Sequence, residues 1–200
     1  MSRRQQQLAQ RASNELSAGT YSNIAEKMDW SYWDVLSILN TTLLTRMFTA
    51  PLGGAANRVL CDTNLVRQSI PRGQKFMVYA IKVFYYAHAL LTDTTLQDFF
   101  TLIRRSTLDI KIIGKDSIGQ WGLDELLGAP ILAEQAAAAT LNTHALSIGR
   151  FTGIFPLNTP IKLAALTDYE IVLQHHTAPA AALNADILKI SLNGTLLRQA

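Results

Sequence analysis

The stretch Lys75-Phe76-Met77-Val78-Tyr79-Ala80-Ile81-Lys82-Val83-Phe84-Tyr85-Tyr86 decides the fold. It is rich in β-branched and aromatic residues over a length that suits one strand, which predicts an extended element. Alternation places Phe76, Val78, Ala80 and Phe84 on one face and Met77, Tyr79, Ile81, Val83 and Tyr85 on the other. Both faces are apolar, so both need cover, one from a second sheet and the other from a helix or a neighbouring subunit.

Downstream, Thr94 to Arg105 reads as a helix: Thr94 and Gln97 have capping-box spacing, and Leu96, Phe99, Phe100 and Ile103 form one stripe. Arg104 and Arg105 suit the negative end of its dipole. Thr107 to Ile113 alternates as a strand, with Leu108, Ile110 and Ile112 inward and Asp109 and Lys111 outward. Gly114, Gly119 and Gly122 are expected to break the chain around Trp121, and Leu123 to Leu127 to form one helical turn closed by Gly128. Upstream, Asp29 reads as the cap of a short amphipathic helix carrying Trp30, Tyr32, Val35, Leu36, Leu39 and Leu43. The turn-rich segments Ala50 to Asn57 and Ile70 to Gly73 then bracket an extended piece around Val59 to Val66.

Toward the C-terminus the strand-like pieces are Ala145 to Ile148, Gly153 to Phe155, Ile161 to Leu163, Tyr169 to His175 and Asp186 to Leu192. Asn193-Gly194 follows as a hairpin-turn signal, with Thr195-Leu196-Leu197 as the returning strand. The run Ala136 to Ala139 fits either a helix or a small-residue loop packed on another chain. Seven or eight short strands, with two or three helices in no regular alternation, argue against a doubly wound parallel sheet. The expected class is mainly β, a single jelly roll or two-sheet antiparallel β-sandwich with short helices in its loops and an N-terminal arm.

The chain has 200 residues, enough for one core. Charged residues make up only 16% while 48% are hydrophobic, so part of the surface is expected to be buried against partners. Arg3, Arg4 and Arg11 stand in an acid-free start, and the net charge of +3 is theirs, because the rest of the chain balances. Residues 1–28 are polar and poor in large apolar side chains, which predicts a flexible basic arm before a single domain over 29–200. Apolar runs are too short to span a membrane and no secretory signal opens the chain, so a soluble, unexported protein is expected.

Motifs for chemistry are sparse. His175 and His176 are neighbours on a strand and point to opposite faces, and neither His88 nor His144 has a metal-binding spacing around it. Asp62-Thr63-Asn64 lacks the glycine and glutamate of a calcium loop and reads as a tight turn bonding its own backbone. Cys61, the sole cysteine, excludes an internal disulfide and is expected to be a small buried apolar residue. A nucleophile elbow and a phosphate-loop spacing are both absent, so no enzyme activity, cofactor, metal or small-molecule substrate is expected. Trp30, Tyr32 and Trp33 are expected to pack in the core rather than meet lipid headgroups. Arg3, Arg4 and Arg11 are candidates for contact with nucleic acid or with an inner surface.

In segment order the chain resembles the jelly-roll capsid proteins of small tailless icosahedral bacteriophages. The residues carrying the resemblance are Phe48-Thr49-Ala50-Pro51-Leu52-Gly53, Asp62-Thr63-Asn64-Leu65 and Ile70-Pro71-Arg72-Gly73-Gln74-Lys75-Phe76 leading into the Val78 to Phe84 strand. Ile110-Lys111-Ile112-Ile113-Gly114-Lys115-Asp116 and the terminal Ile190 to Arg198 extend it over about residues 45–200. The resemblance implies a coat subunit in a virion, made in the host cytoplasm and tiling with copies of itself and with other virion proteins. It also implies an arm that runs along the inner surface or under a neighbour, with packaged nucleic acid or an internal membrane as its partner. Two other readings remain open: a β-sandwich that binds carbohydrate or protein, with Trp121 as a stacking platform, and an enzyme on a cupin-like jelly roll.

Overall fold

A computed structural model of the chain describes residues 24–53, 58–88, 93–113, 117–127 and 154–199. Eight strands follow one another: β1 (Ile24–Ser37), β2 (Leu44–Met47), β3 (Gln74–Tyr86), β4 (Ser106–Ile112), β5 (Ser117–Gly122), β6 (Ile154–Leu163), β7 (Tyr169–His175) and β8 (Ile187–Gln199). Helix α1 (Asp93–Arg104) joins β3 to β4, the short α2 (Leu123–Leu127) follows β5, and a 3-10 turn covers Ala181–Leu183.

All pairings are antiparallel. β1 pairs with β8, β2 with β7, β3 with β6 and β4 with β5, as in one long hairpin of eight strands. Further pairing of β8 with β3 and of β7 with β4 splits the hairpin into two sheets, ordered β1-β8-β3-β6 and β2-β7-β4-β5. That wrapped order is the jelly roll. The expected two-sheet antiparallel sandwich is therefore the observed one.

The strand that opened the sequence reading is the third of the first sheet, and its side-chain alternation is interrupted. Register shifts between Val78 and Ala80 against both neighbours, so a bulge switches the inward face. Phe76 and Val78 enter the core before the bulge, and Ile81 and Val83 after it, whereas unbroken alternation would have sent Ile81 outward. Opposite the bulge lies Gly194, where a Cβ would run into the Met77 carbonyl and the Phe76 ring. Asn193-Gly194 is thus no hairpin turn. β8 runs through it, pairing Gly194 with Trp30 on one side and Val78 on the other, because the glycine supplies room and not a reversal.

The expected helix after Asp29 is instead β1. Met28, Tyr32 and Leu36 pack on the core at every fourth position, a spacing that a strand of period two also satisfies, and thirteen residues of β1 find partners on β8. The strand begins at Ile24, so residues 24–28, assigned by composition to the arm, belong to the body. Residues 1–23, with Arg3, Arg4 and Arg11, lie outside the described residues, as do Ala136 to Ala139, His144 and the strand expected at Ala145 to Ile148. Gly119 and Gly122 do not break the chain; both lie inside β5, and Gly119 leaves room for the Trp121 indole. Gly153 to Phe155 and Ile161 to Leu163 are not separate strands, since residues 154–163 form the single edge strand β6, whose pairing skips from Pro156 to Ile161. Pro156 and Pro160 are tolerated there because an edge or an irregularity does not need their missing N–H. Val59 to Val66 holds turns and one isolated bridge, Thr63 to Asp34, in place of an extended piece.

Both sheets bury one face in a common core that includes Phe48, Phe76, Ile81, Leu108, Ile110, Tyr169, Ile171, Leu173, Ile190 and Leu192. Strand directions put the last residues of β1, β3, β5 and β7 at one end of the sandwich and those of β2, β4 and β6 at the opposite end. The first end is closed by α1, which contributes Phe99, Phe100, Leu102 and Ile103 to the core, and by Leu123, Leu126 and Leu127 of α2.

Candidate interaction surfaces

Three buried polar groups fasten the loops. Asp34, 2% exposed, accepts from the Phe48 amide at 2.6 Å and the Val35 amide at 3.0 Å and is ion-paired with Arg58. Burial raises its carboxyl above the ordinary value, opposed by those amides and by the guanidinium. Arg58 also donates to the Val35 and Asp62 carbonyls, so the loop is drawn over β1. Phe48 itself sits at φ 65°, an uncommon conformation for a bulky residue, which its amide bond to Asp34 helps to hold.

Asn64 extends the same strap along β1: its Oδ1 accepts from the Trp33 amide at 2.8 Å and its Nδ2 donates to the Ser31 carbonyl at 2.7 Å. The motif Asp62-Thr63-Asn64 is therefore a turn only in part. Asp62 does accept from the nearby Val59 amide, but Thr63 donates to the Trp33 carbonyl and Asn64 covers the edge of β1, a long-range role that local spacing could not reveal. Cys61 is exposed, contrary to the burial expected of it, because it lies on the crest of this crossing loop.

Asp186, 2% exposed, fastens the helical end. It accepts from the Tyr85 hydroxyl and from the His88 amide at 2.9 Å, with the His88 Nδ1 at 2.5 Å. Burial, followed by the bond and charge of Asp186, pushes the Tyr85 phenol far up. The two neighbouring histidines part as their alternation requires: His175 is buried and His176 exposed. Ser106 Oγ donates to the Leu102 carbonyl at 2.5 Å, which leaves it as the acceptor for His175 Nδ1–H at 2.7 Å. Burial, then the neighbouring His176, lowers the His175 pKa. Among the described residues no group of three or more His, Cys, Asp or Glu side chains could hold a metal ion, and no helix is long and apolar enough to cross a membrane.

Large apolar side chains are also exposed among the described residues. At the helical end Leu39, Leu43, Leu44, Tyr86 and Ile187 are exposed, the last two facing each other across β3 and β8. Val59 and Leu60 are exposed in the loop that crosses β1, and Val66, Ile113 and Leu166 in connections of the opposite end, Leu60 and Val66 by 66% and 72%. Scattered exposed apolar residues are ordinary, but here most of them gather in the connections at the two ends, with Trp30, Val59 and Leu60 along β1. Of the three aromatics near the arm, Tyr32 is buried against Phe76, Trp33 is half-buried and Trp30 is exposed, so core packing describes only the first. Trp121 is half-buried and sits edge-on to Phe155 with ring centroids 6.3 Å apart, in a groove of about 420 Å³ between β5 and β6. Ile112, Ile118, Leu157 and Pro160 also line that groove.

The fold and its surfaces define a jelly-roll domain whose ends are apolar. Comparison with protein-family models, with curated proteins and with solved structures finds no match for the chain.

Proposed function

We propose that this chain is a viral capsid (coat) protein that self-assembles into an icosahedral shell around a genome. The observation that carries the reading is the conjunction of the complete jelly-roll strand order with exposed apolar residues at both ends of the sandwich. A subunit that must meet different neighbours around symmetry axes needs more than one contact patch, and heterologous contacts close into a shell when their rotations close. The low charge content supports the same reading, since stable subunit interfaces are larger and more apolar than transient ones. Its partners are copies of itself and other virion proteins, its place is the virion after synthesis in the host cytoplasm, and it needs no catalytic residue, cofactor or small-molecule substrate. The resemblance to jelly-roll capsid proteins of tailless bacteriophages gives Arg3, Arg4 and Arg11 an inward role, toward nucleic acid or an internal membrane.

Light scattering and negative-stain microscopy of the native protein test this. Shells or discrete capsomers are expected, and Leu39→Ser/Leu43→Ser/Leu44→Ser is expected to abolish them while leaving the unfolding midpoint within about 2 °C. A natural chain that stays a 22.1 kDa monomer under all assembly conditions would refute the reading. The Trp121 groove favours one alternative, a carbohydrate- or protein-binding accessory module, because an aromatic beside a concave apolar wall is how such sites hold a ligand. A glycan screen with hits lost in Trp121→Ala would support that alternative.

A further inference from the structure

The outer side of a two-sheet sandwich ordinarily meets water, but part of the first sheet's outer side is buried. Register fixes which residues point there. Met28, Leu196, Phe76 and Leu163 form one inward row. The rows on either side of it point outward: Lys27, Leu197 and Lys75 in one, and Asp29, Thr195, Met77 and Lys162 in the other. Met77 is nonetheless 1% exposed and Leu197 4%, and Thr195 is buried with them. Tyr79, at the bulge, is buried too, and Asp29 lies near enough to act on its phenol, which puts the ring on the same side. Farther along β8, Ser191 also points outward and is buried.

The buried residues form a strip along the two central strands, β8 and β3. On the edge strands beside it Lys27, Asp29 and Lys162 are exposed, so the cover is about one chain segment wide. A neighbouring subunit would bring a broad surface and bury the rims as well. The strip also has a direction: it is closed at the end where β1 begins, and at the helical end Tyr86 and Ile187 are exposed on the same side. The burial is reached within a single chain, so the cover belongs to that chain. Among the described residues the elements able to supply it lie elsewhere. Helices α1 and α2 close the helical end, and the loop with Arg58 and Asn64 crosses β1 between Ser31 and Val35. Lys27, Lys75 and Lys162, which border the strip, each have an interaction partner of their own.

We propose that the outer side of β8 and β3 is the docking site of residues 12–23, which fold back over it from the start of β1. The place where that segment joins the sheet argues for it. Ile24 pairs with Gln199, two residues from Leu197, so the chain preceding β1 arrives at the closed end of the strip. From Leu197 to Ser191 the strip is about 20 Å long at about 3.4 Å per residue, and twelve extended residues reach about 40 Å, which leaves chain for the reversal. Leu16 and Tyr21 are the large apolar side chains of the segment, with Gly19 between them. Residues 128–153 are long enough but wrongly placed. They leave α2 at the helical end and rejoin the sheet at Ile154, opposite Lys82, so they would cover the open half first. The docking is independent of the shell reading, and Arg3, Arg4 and Arg11 precede the docked segment.

The test is oxidation of the full chain by dilute hydrogen peroxide, read by mass spectrometry at Met77 and at Met47, a methionine of the common core. Both are expected to resist in the natural chain. Leu16→Ser/Tyr21→Ser should uncover Met77, which is then oxidised at least about ten-fold faster than Met47, whereas Ile131→Ser/Leu132→Ser should leave Met77 protected. A second reading uses Tyr21→p-benzoylphenylalanine in the otherwise natural chain. On illumination it should cross-link within its own chain to residues 76–82 or 190–198, and mixing isotope-labelled with unlabelled chains separates links within a chain from links between chains. The cross-link decides the matter if the serine variant fails to fold. Met77 still protected in the folded Leu16/Tyr21 variant, protection lost instead in the Ile131/Leu132 variant, or cross-links confined to other segments would each overturn the proposal. Cross-links joining labelled to unlabelled chains would overturn it in favour of a second copy's segment. Shell formation by a chain that fails this test would leave the shell reading standing.

Discussion

Lowering the pH from 7.5 to 5.5 should destabilise this protein through His175. In the folded chain the residue is 4% exposed, and Nδ1–H donates to a serine hydroxyl already committed to a helix-end carbonyl. A second proton would place a charge where burial disfavours it and beside His176, so the folded pKa lies below the ordinary 6.5. The unfolded chain therefore binds this proton first as the pH falls through 6.5. Stability contributed by the neutral ring is complete above that value and is lost below it, at up to about 1.4 kcal/mol per pH unit until the folded ring also titrates. By pH 5.5 the loss reaches about 1.4 kcal/mol at most, which for a chain of this length is about 3–6 °C in midpoint. The assay is urea unfolding at half-unit pH steps for the natural chain and for His175→Gln. Subtracting the two curves cancels the carboxylates and the other histidines. A difference that is flat from pH 7.5 to 5.5, or that grows in favour of the natural chain as the pH falls, would refute the buried neutral ring.

Gly194→Ala should lower stability by about 1–3 kcal/mol, because the new methyl meets the Met77 carbonyl and the Phe76 ring at the bulge; a midpoint equal to the natural one in thermal melts would show that β3 can yield there. Asn64→Ala removes two bonds to the edge of β1 and should cost about 1–3 kcal/mol, with faster amide exchange at Trp33 as the local signature. Unchanged exchange at Trp33 would mean that the loop does not cover that edge.

Much of the fold is legible in local pattern. Gln74–Tyr86, Ser106–Ile112 and Tyr169–His175 were found to within a residue because their composition and length fit one element each. Helix α1 was found from its apolar stripe, and the count of short strands pointed to two packed antiparallel sheets. The failures share a cause. In β1 the spacing of Tyr32 and Leu36 satisfies a helix and a strand alike, and only pairing with β8 decides between them. At Asn193-Gly194 a residue pair suited to a tight turn lies in mid-strand, because Gly194 is needed for the approach of the Met77 backbone.

The candidate surfaces were less visible. The exposed apolar residues, such as Leu39, Leu60 and Leu166, are far apart in the chain and form no run in the sequence. By itself the sequence determined the class of secondary structure, the low charge and the absence of a motif for chemistry, since these follow from residue type and near-neighbour spacing. Only the tertiary structure decided the strand order, the bulge and which residues of β3 face the core beyond it. Those depend on pairing between residues more than a hundred positions apart, as Lys75 and Leu197 are, and no local preference encodes such a pairing.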